Sequence, residues 1–193
     1  MKERILADLN RIYEHKQQRM DHVLGVRDTA LRLGKLHHCD LDKLELAALL
    51  HDITKYDSHE QNVKRIRSYY ENADSIIREY NPNILHAFSA VAVAHDAYGV
   101  TDPDILGAIE KHTIGAPNMS MMEAVLFVSD YIEPNRTYPS CIHVRSIAFE
   151  NLHLAIYTAM DDSIRYFEST EGQVPQTAYK ARAYYKNQLE ESM

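Results

Sequence analysis

Leu44-Glu45-Leu46-Ala47-Ala48-Leu49-Leu50-His51-Asp52-Ile53-Thr54-Lys55 is the stretch on which the reading of this chain turns. Its apolar residues run on too densely for an exposed helix and carry no period-two alternation. The segment from Leu41 to Lys55 therefore reads as a core helix, with Asp40 or Asp42 as its cap. At the end of that run stand a histidine and an aspartate, side by side, where burial of an unpaired ionisable group is expensive. Adjacent residues on a helix point about 100° apart, so His51 and Asp52 can present two ligands to one ion lying between helices.

Working outward, the same periodicity recurs and strand alternation does not. Ile5, Leu9 and Ile12 mark a first helix over Lys2 to His15, and Val23, Val26, Ala30 and Leu33 a second over Arg19 to His38. The polar stretch Tyr56 to Tyr80 holds one or two exposed helices around Val63, Ile66 and Ile76. Ile84 to Tyr98 reads as a buried helix rich in Ala and Val. Asp102-Pro103 is an N-cap followed by proline at the first helical position, opening a helix that ends near His112. Ser120 opens another, running to Glu133. Ser140 to Thr170 is long enough for one extended helix, and Thr177 to Glu190 closes the chain. These elements predict an all-α fold, a single helical-bundle domain over 1–193.

Composition narrows the class. In 193 residues, 45% are apolar and 25% charged, with only 6 Gly and 6 Pro, which excludes disordered and fibrous chains. Lys plus Arg number 21 against 28 Asp plus Glu, a net charge of −7, so the footprint of a nucleic-acid binder is missing. No apolar run approaches the ~18 residues of a membrane span. Two cysteines, Cys39 and Cys141, make no disulfide framework, and a cytoplasmic protein is expected.

Two further ionisable residues sit where apolar ones are expected. Asp130 interrupts the core-type run Ala124 to Ile132, and His22 lies on the same helix face as Val26 and Leu33. Converging on one point, His22, His51, Asp52 and Asp130 make a two-imidazole, two-carboxylate set. Such mixed nitrogen–oxygen ligation suits a divalent first-row metal: iron, manganese, cobalt, nickel or zinc.

His22, then His51-Asp52, then a distal Asp130 resembles the H…HD…D pattern of the HD-domain metal-dependent phosphohydrolases. Arg19-Met20-Asp21-His22, His51-Asp52-Ile53-Thr54-Lys55, Ile84-Leu85-His86-Ala87, Lys111-His112-Thr113 and Ser129-Asp130 through Arg136 follow in the order of one group within them. That group is the YqeK-type symmetrical bis(5′-nucleosyl)-tetraphosphatases, which cleave diadenosine tetraphosphate to two ADP. The resemblance implies an HD-domain helical bundle with His22, His51, Asp52 and Asp130 as metal ligands. It associates iron with the site, with manganese or another first-row metal as the alternative. By the same resemblance His86 and His112 lie near the phosphates, either touching substrate or completing a second metal position. An ADP contact is implied at Gly172, Gln173, Val174, Pro175 and Thr177.

The chemistry expected of such a site is hydrolysis of the polyphosphate bridge by a metal-activated water. Asp52, Lys55, His86 and His112 are the catalytic candidates. Arg19, Lys55 and Arg136 are the cations that would meet phosphate oxygens, beside His51, Asp52 and Asp130. Lys55 is placed on the helix face of His51 and Asp52, and Arg19 one turn before His22. A homodimer is compatible with the exposed Leu, Met and Tyr residues. Two other functions fit the same residues: an HD phosphohydrolase acting on a different nucleotide, and a helical module that binds nucleotide without turnover.

Overall fold

The computed structural model describes residues 1–170 and 174–191, and among these all regular structure is helical. Eleven helices follow one another there: α1 Lys2–Ile12, α2 Gln17–Leu36, α3 Leu41–Leu50, α4 His59–Tyr69, α5 Ala73–Glu79, α6 Leu85–Tyr98, α7 Pro103–Lys111, α8 Met121–Ile132, α9 Pro139–Ala148, α10 Leu152–Thr170 and α11 Gln176–Glu191. The all-α expectation holds. No helix among the described residues is long and apolar enough to cross a membrane.

Local chemistry sets where the site-bearing helices start. Asp40 caps α3, its carboxylate accepting from the N–H groups of Asp42 and Lys43 at 3.0 and 3.1 Å. Asp102 caps α7 with Pro103 in the first turn. Ser120 and Glu123 form a reciprocal capping box on α8. Each of these helices then buries an apolar face in one core: Leu44, Ala47, Ala48, Leu49 and Leu50 of α3, Ala108 and Ile109 of α7, Val125, Leu126 and Val128 of α8. α2 joins them through Val23, Val26, Ala30 and Leu33. Gly34 allows α2 and α3 to approach closely, because a Cβ there would collide with the Leu44 side chain.

Three sequence expectations require correction. The helix expected over Leu41 to Lys55 stops at Leu50, and residues 51–56 continue as tight turns. Ile53 N–H bonds to Leu50 O at 3.1 Å and Lys55 N–H to Asp52 O at 2.8 Å, an i to i−3 pattern tighter than the α-helix. The Tyr13 hydroxyl also donates to Asp52 O at 2.7 Å, and the Thr54 hydroxyl to His86 O at 2.8 Å. The helix expected over Ser140 to Thr170 is two, α9 and α10. Asn151 breaks it, its side-chain oxygen accepting from Leu154 N–H at 2.9 Å as a cap for α10. The stretch after Tyr56 holds two helices, and they are not exposed throughout: Ile66 and Ile76 are buried in a second core with Ile84, Leu85, Phe88 and Ile164.

Candidate metal centre

Five helix ends deliver the site. Arg19 and His22 come from the first turns of α2, His51 is the residue at the C-terminus of α3, and Asp52 and Lys55 follow in the turns. His86 lies in the first turn of α6, His112 ends α7, and Asp130 lies in the last turn of α8. His22, His51, Asp52, His86 and His112 are all buried.

Asp52 sits at the middle. Its Oδ2 is 3.6 Å from the Nε2 atoms of both His22 and His51 and 2.7 Å from Arg19 Nη1. Its Oδ1 is 3.0 Å from His86 Nε2 and 3.7 Å from His112 Nε2. Asp130 Oδ1 lies 3.1 Å from His22 Nε2 and 4.0 Å from His51 Nε2, and accepts from Arg136 Nη2 at 2.8 Å. The structure thus brings His22, His51, Asp52, His86, His112, Asp130, Arg19 and Arg136 to one cluster. Lys55 is not on a shared helix face with His51, since α3 has ended. Its ammonium reaches the cluster from the turns and stands 3.4 Å from His86 Nε2.

The imidazoles are held in one orientation. His51, His86 and His112 each place Nδ1 on the carbonyl three residues earlier: Ala48 at 2.6 Å, Asn83 at 2.7 Å and Ile109 at 2.7 Å. A carbonyl only accepts, so Nδ1 carries the hydrogen and a neutral ring turns its Nε2 lone pair inward. His22 does the same against a carboxylate, donating Nδ1–H to Glu133 Oε1 at 3.1 Å. Neutral rings at His51, His86 and His112 therefore turn acceptor nitrogens toward the acceptor oxygens of Asp52, and His51 Nε2 is buried with no hydrogen-bond partner; His22 Nε2, 3.1 Å from Asp130 Oδ1, joins them once that ring is neutral. Acceptors cannot satisfy one another; a cation can satisfy them together. Two overlapping triplets have ligand atoms within 4.8 Å of one another: His22, His51 and Asp130, and His51, Asp52 and His112.

Electrostatics agree with a site kept ready for a cation. Burial works against charge on Asp52, yet the imidazoles of His51, His112 and His86 and the Lys55 ammonium hold its carboxyl well below the usual range. Asp130 is likewise held down against burial, chiefly by Arg136 and His22. Burial pushes His51 down to about 3 and His86 down to about 4, so both are neutral at pH 7. His22 is the exception: burial opposes its charge, but Asp130 and Glu133 outweigh it and push it up to about 9.

Two supporting residues escaped the sequence reading. Glu133 is buried, and its Oε2 accepts from the backbone N–H and side-chain amide of Asn135 at 2.7 and 3.0 Å, leaving Oε1 to orient His22. A Cβ at Gly25 would lie 2.5 Å from Glu133 Oε2, so glycine makes room for this carboxylate beside α2. Arg145 donates to the carbonyls of Ile132, Glu133 and Arg136 at 2.6, 2.6 and 2.8 Å and so pins the chain on either side of Glu133. Glu133 lies inside the Ser129 to Arg136 motif, directly before Pro134, but nothing in the sequence singles it out there, and Arg145 carries no signal at all.

The segment implied for ADP is not joined to the cluster by the bonds of its described members. Thr177 Oγ1 donates to Glu79 Oε1 at 3.0 Å and accepts from the Tyr80 hydroxyl at 3.3 Å, and Pro175 is buried. Val174 packs against the second core. Gly172 and Gln173 lie outside the described residues.

Residues 19–138 match the family model described as HD domain. A symmetrical bis(5′-nucleosyl)-tetraphosphatase of Halalkalibacterium halodurans is 37% identical over 153 residues, 79% of each chain. Its namesake from Bacillus subtilis is 35% identical over 148 residues, 77% of this chain and 78% of that one. Among solved structures, a protein of Clostridium acetobutylicum described as a predicted HD superfamily hydrolase involved in NAD metabolism superposes with a TM-score of 0.88. It is 32% identical, and the match covers 97% of this chain and 98% of that one.

Proposed function

The chain belongs to the HD-domain family and, within it, to the symmetrical bis(5′-nucleosyl)-tetraphosphatases, and from that premise we propose that its His–Asp cluster hydrolyses diadenosine tetraphosphate to two ADP. Water adds to one of the two central phosphorus atoms, the bridging P–O bond at the middle of the tetraphosphate breaks, and the displaced oxygen leaves on the other ADP. The observation that carries this reading is the convergence of four oriented imidazole Nε2 atoms on the oxygens of Asp52 and Asp130, with that of His51 buried and unpaired.

His22, His51, Asp52 and Asp130 would hold a divalent metal, with His86 and His112 turned to a second position or to phosphate. A metal there supplies Lewis acidity and a water of lowered pKa. We assign iron, with manganese as the alternative. The neutral imidazoles of His51 and His86 need lose no proton to ligate. Glu133 keeps His22 turned inward, and Arg145 keeps Glu133 in place.

The substrate carries several negative charges and the protein has a net charge of −7, so local cations must receive the phosphates. Arg19 and Arg136 stand at the His22 side, each already paired to a carboxylate, and Lys55 stands at the His86 side. Guanidinium groups so placed can engage phosphate oxygens bidentately while holding Asp52 and Asp130 ionised. Asp52 touches both halves of the cluster through its two oxygens and is positioned to orient the attacking water and take its proton. A nucleotide substrate and the free cysteines Cys39 and Cys141 fit a cytoplasmic enzyme.

Chromatographic analysis of nucleotides after incubation with diadenosine tetraphosphate tests the reading. ADP as the sole product supports it. ATP with AMP would show asymmetrical cleavage and overturn it, and preference for another nucleotide in a panel would move the substrate elsewhere.

A further inference from the structure

Among the described residues, one cavity reaches the cluster past His22 and another past His86, and they differ. One, of about 550 Å³, is lined by Arg19, His22, Tyr56, Asn135, Arg136 and Tyr138 among others. The other, of about 170 Å³, is lined by Lys55, Asn83 and His86 among others. They approach through His22 and His86, which meet different oxygens of Asp52. The larger lies within the range of about 300–1,000 Å³ usual for small-molecule sites.

The lining of the larger cavity is graded. At the cluster stand the guanidinium groups of Arg19 and Arg136, on Asp52 and Asp130. Farther out are two tyrosine rings, Tyr56 at 50% and Tyr138 at 52% exposure, among the more exposed large apolar side chains of the described residues. Neither ring is loose. Lys16 Nζ stands 3.8 Å from the Tyr56 ring centroid, and the Tyr138 hydroxyl accepts from Arg136 Nη1 at 3.2 Å. Metal ligands, then guanidinium groups, then aromatic rings is the order of partners that a nucleotide needs from phosphate to base.

We infer that this cavity seats one whole nucleoside diphosphate half of the substrate, its phosphates at Arg19 and Arg136 and its base against Tyr56 or Tyr138. The inference rests on the function proposed above. It makes two chemically identical substrate halves bind in unlike surroundings, and it sets the specificity for a second nucleoside at these rings.

Equilibrium dialysis of ADP against manganese-loaded protein tests it, alongside the double variants Tyr56→Ala/Tyr138→Ala and Tyr56→Phe/Tyr138→Phe. Wild type is expected to bind two ADP per chain and the alanine variant one. The KM for diadenosine tetraphosphate should rise about 5- to 100-fold in the alanine variant, as loss of base stacking predicts, and by clearly less in the phenylalanine variant, which keeps both rings and gives up only the hydroxyl groups, that of Tyr138 holding Arg136. Unchanged ADP stoichiometry and KM in the alanine variant, or equal losses in both variants, would overturn the assignment. If the alanine variant fails to fold, photolabelling of wild type with 8-azido-ADP decides: label on a peptide containing Tyr56 or Tyr138 supports the site, and label confined elsewhere refutes it. A wild type that makes no ADP from diadenosine tetraphosphate would refute the proposed function instead.

Discussion

Glu133→Gln is the sharpest probe of how the centre is built, because it keeps shape and removes one charge. The carboxylate holds His22 through Nδ1–H···Oε1 at 3.1 Å and is itself held by Asn135 at 2.7 and 3.0 Å. Replacing a charged acceptor by an amide weakens that bond by about 1–2 kcal/mol, or roughly 5- to 30-fold in metal affinity through His22. A second effect opposes the first. With its pKa near 9, His22 is protonated in the metal-free protein at neutral pH and must shed that proton to ligate. At about pH 7 this costs wild type on the order of 3 kcal/mol. Glu133 is one of the groups raising that pKa, so the variant pays less of the cost. A drop of about one pKa unit would return ~1.4 kcal/mol at neutral pH but only a few tenths by about pH 9. The two effects therefore nearly cancel near neutrality, where the variant should bind manganese within about threefold of wild type, and separate to about tenfold by pH 9. Competition titration with a fluorescent chelator across this range reads the difference directly. A deficit independent of pH, or one largest at low pH, would refute the assignment of both the proton and the orienting role.

Other outcomes follow from the same geometry. Asp52→Ala should lower turnover by at least about a thousandfold and release metal, with the helical circular dichroism retained; near-normal turnover would remove Asp52 from its role. In metal-free protein, His22 has its pKa raised from 6.5 to about 9, so it contributes stability that is full below 6.5 and lost as pH rises through 9. Chemical denaturation should thus show stability falling by on the order of 3 kcal/mol across that window in the metal-free form; a flat or rising profile would contradict it. Leu49→Ala, at a fully buried position of α3 just before His51 and Asp52, should cost about 2–5 kcal/mol in urea unfolding, and a loss below about 1 would mean that α3 is not core.

Legibility in the sequence followed the range of the interactions involved. Helix starts with local chemistry were readable: Asp102 before Pro103, and Ser120 before Glu123. So was the core character of Leu44 to Leu50, since apolar density needs no partner to be recognised. The end of α3 was not, because Tyr13 and the backbone at His86 take up the turn beyond it, and both come from distant chain. The α9–α10 break was local but turned on one side chain, Asn151, with no glycine or proline to announce it. Within the cluster, His22, His51, Asp52 and Asp130 stood out as ionisable residues in apolar settings. Glu133 and Arg145 did not, because a charged residue at a helix end looks ordinary until His22 and the three pinned carbonyls are seen around it.

On the proposed function, the His22–His51–Asp52–Asp130 centre holds the metal that hydrolysis of the bridge requires. Protein purified without chelator should contain bound metal and convert diadenosine tetraphosphate to ADP alone; turnover should vanish when the metal is stripped and return with iron or manganese. Full turnover by verified metal-free protein, or ATP and AMP as products of the reloaded enzyme, would contradict it.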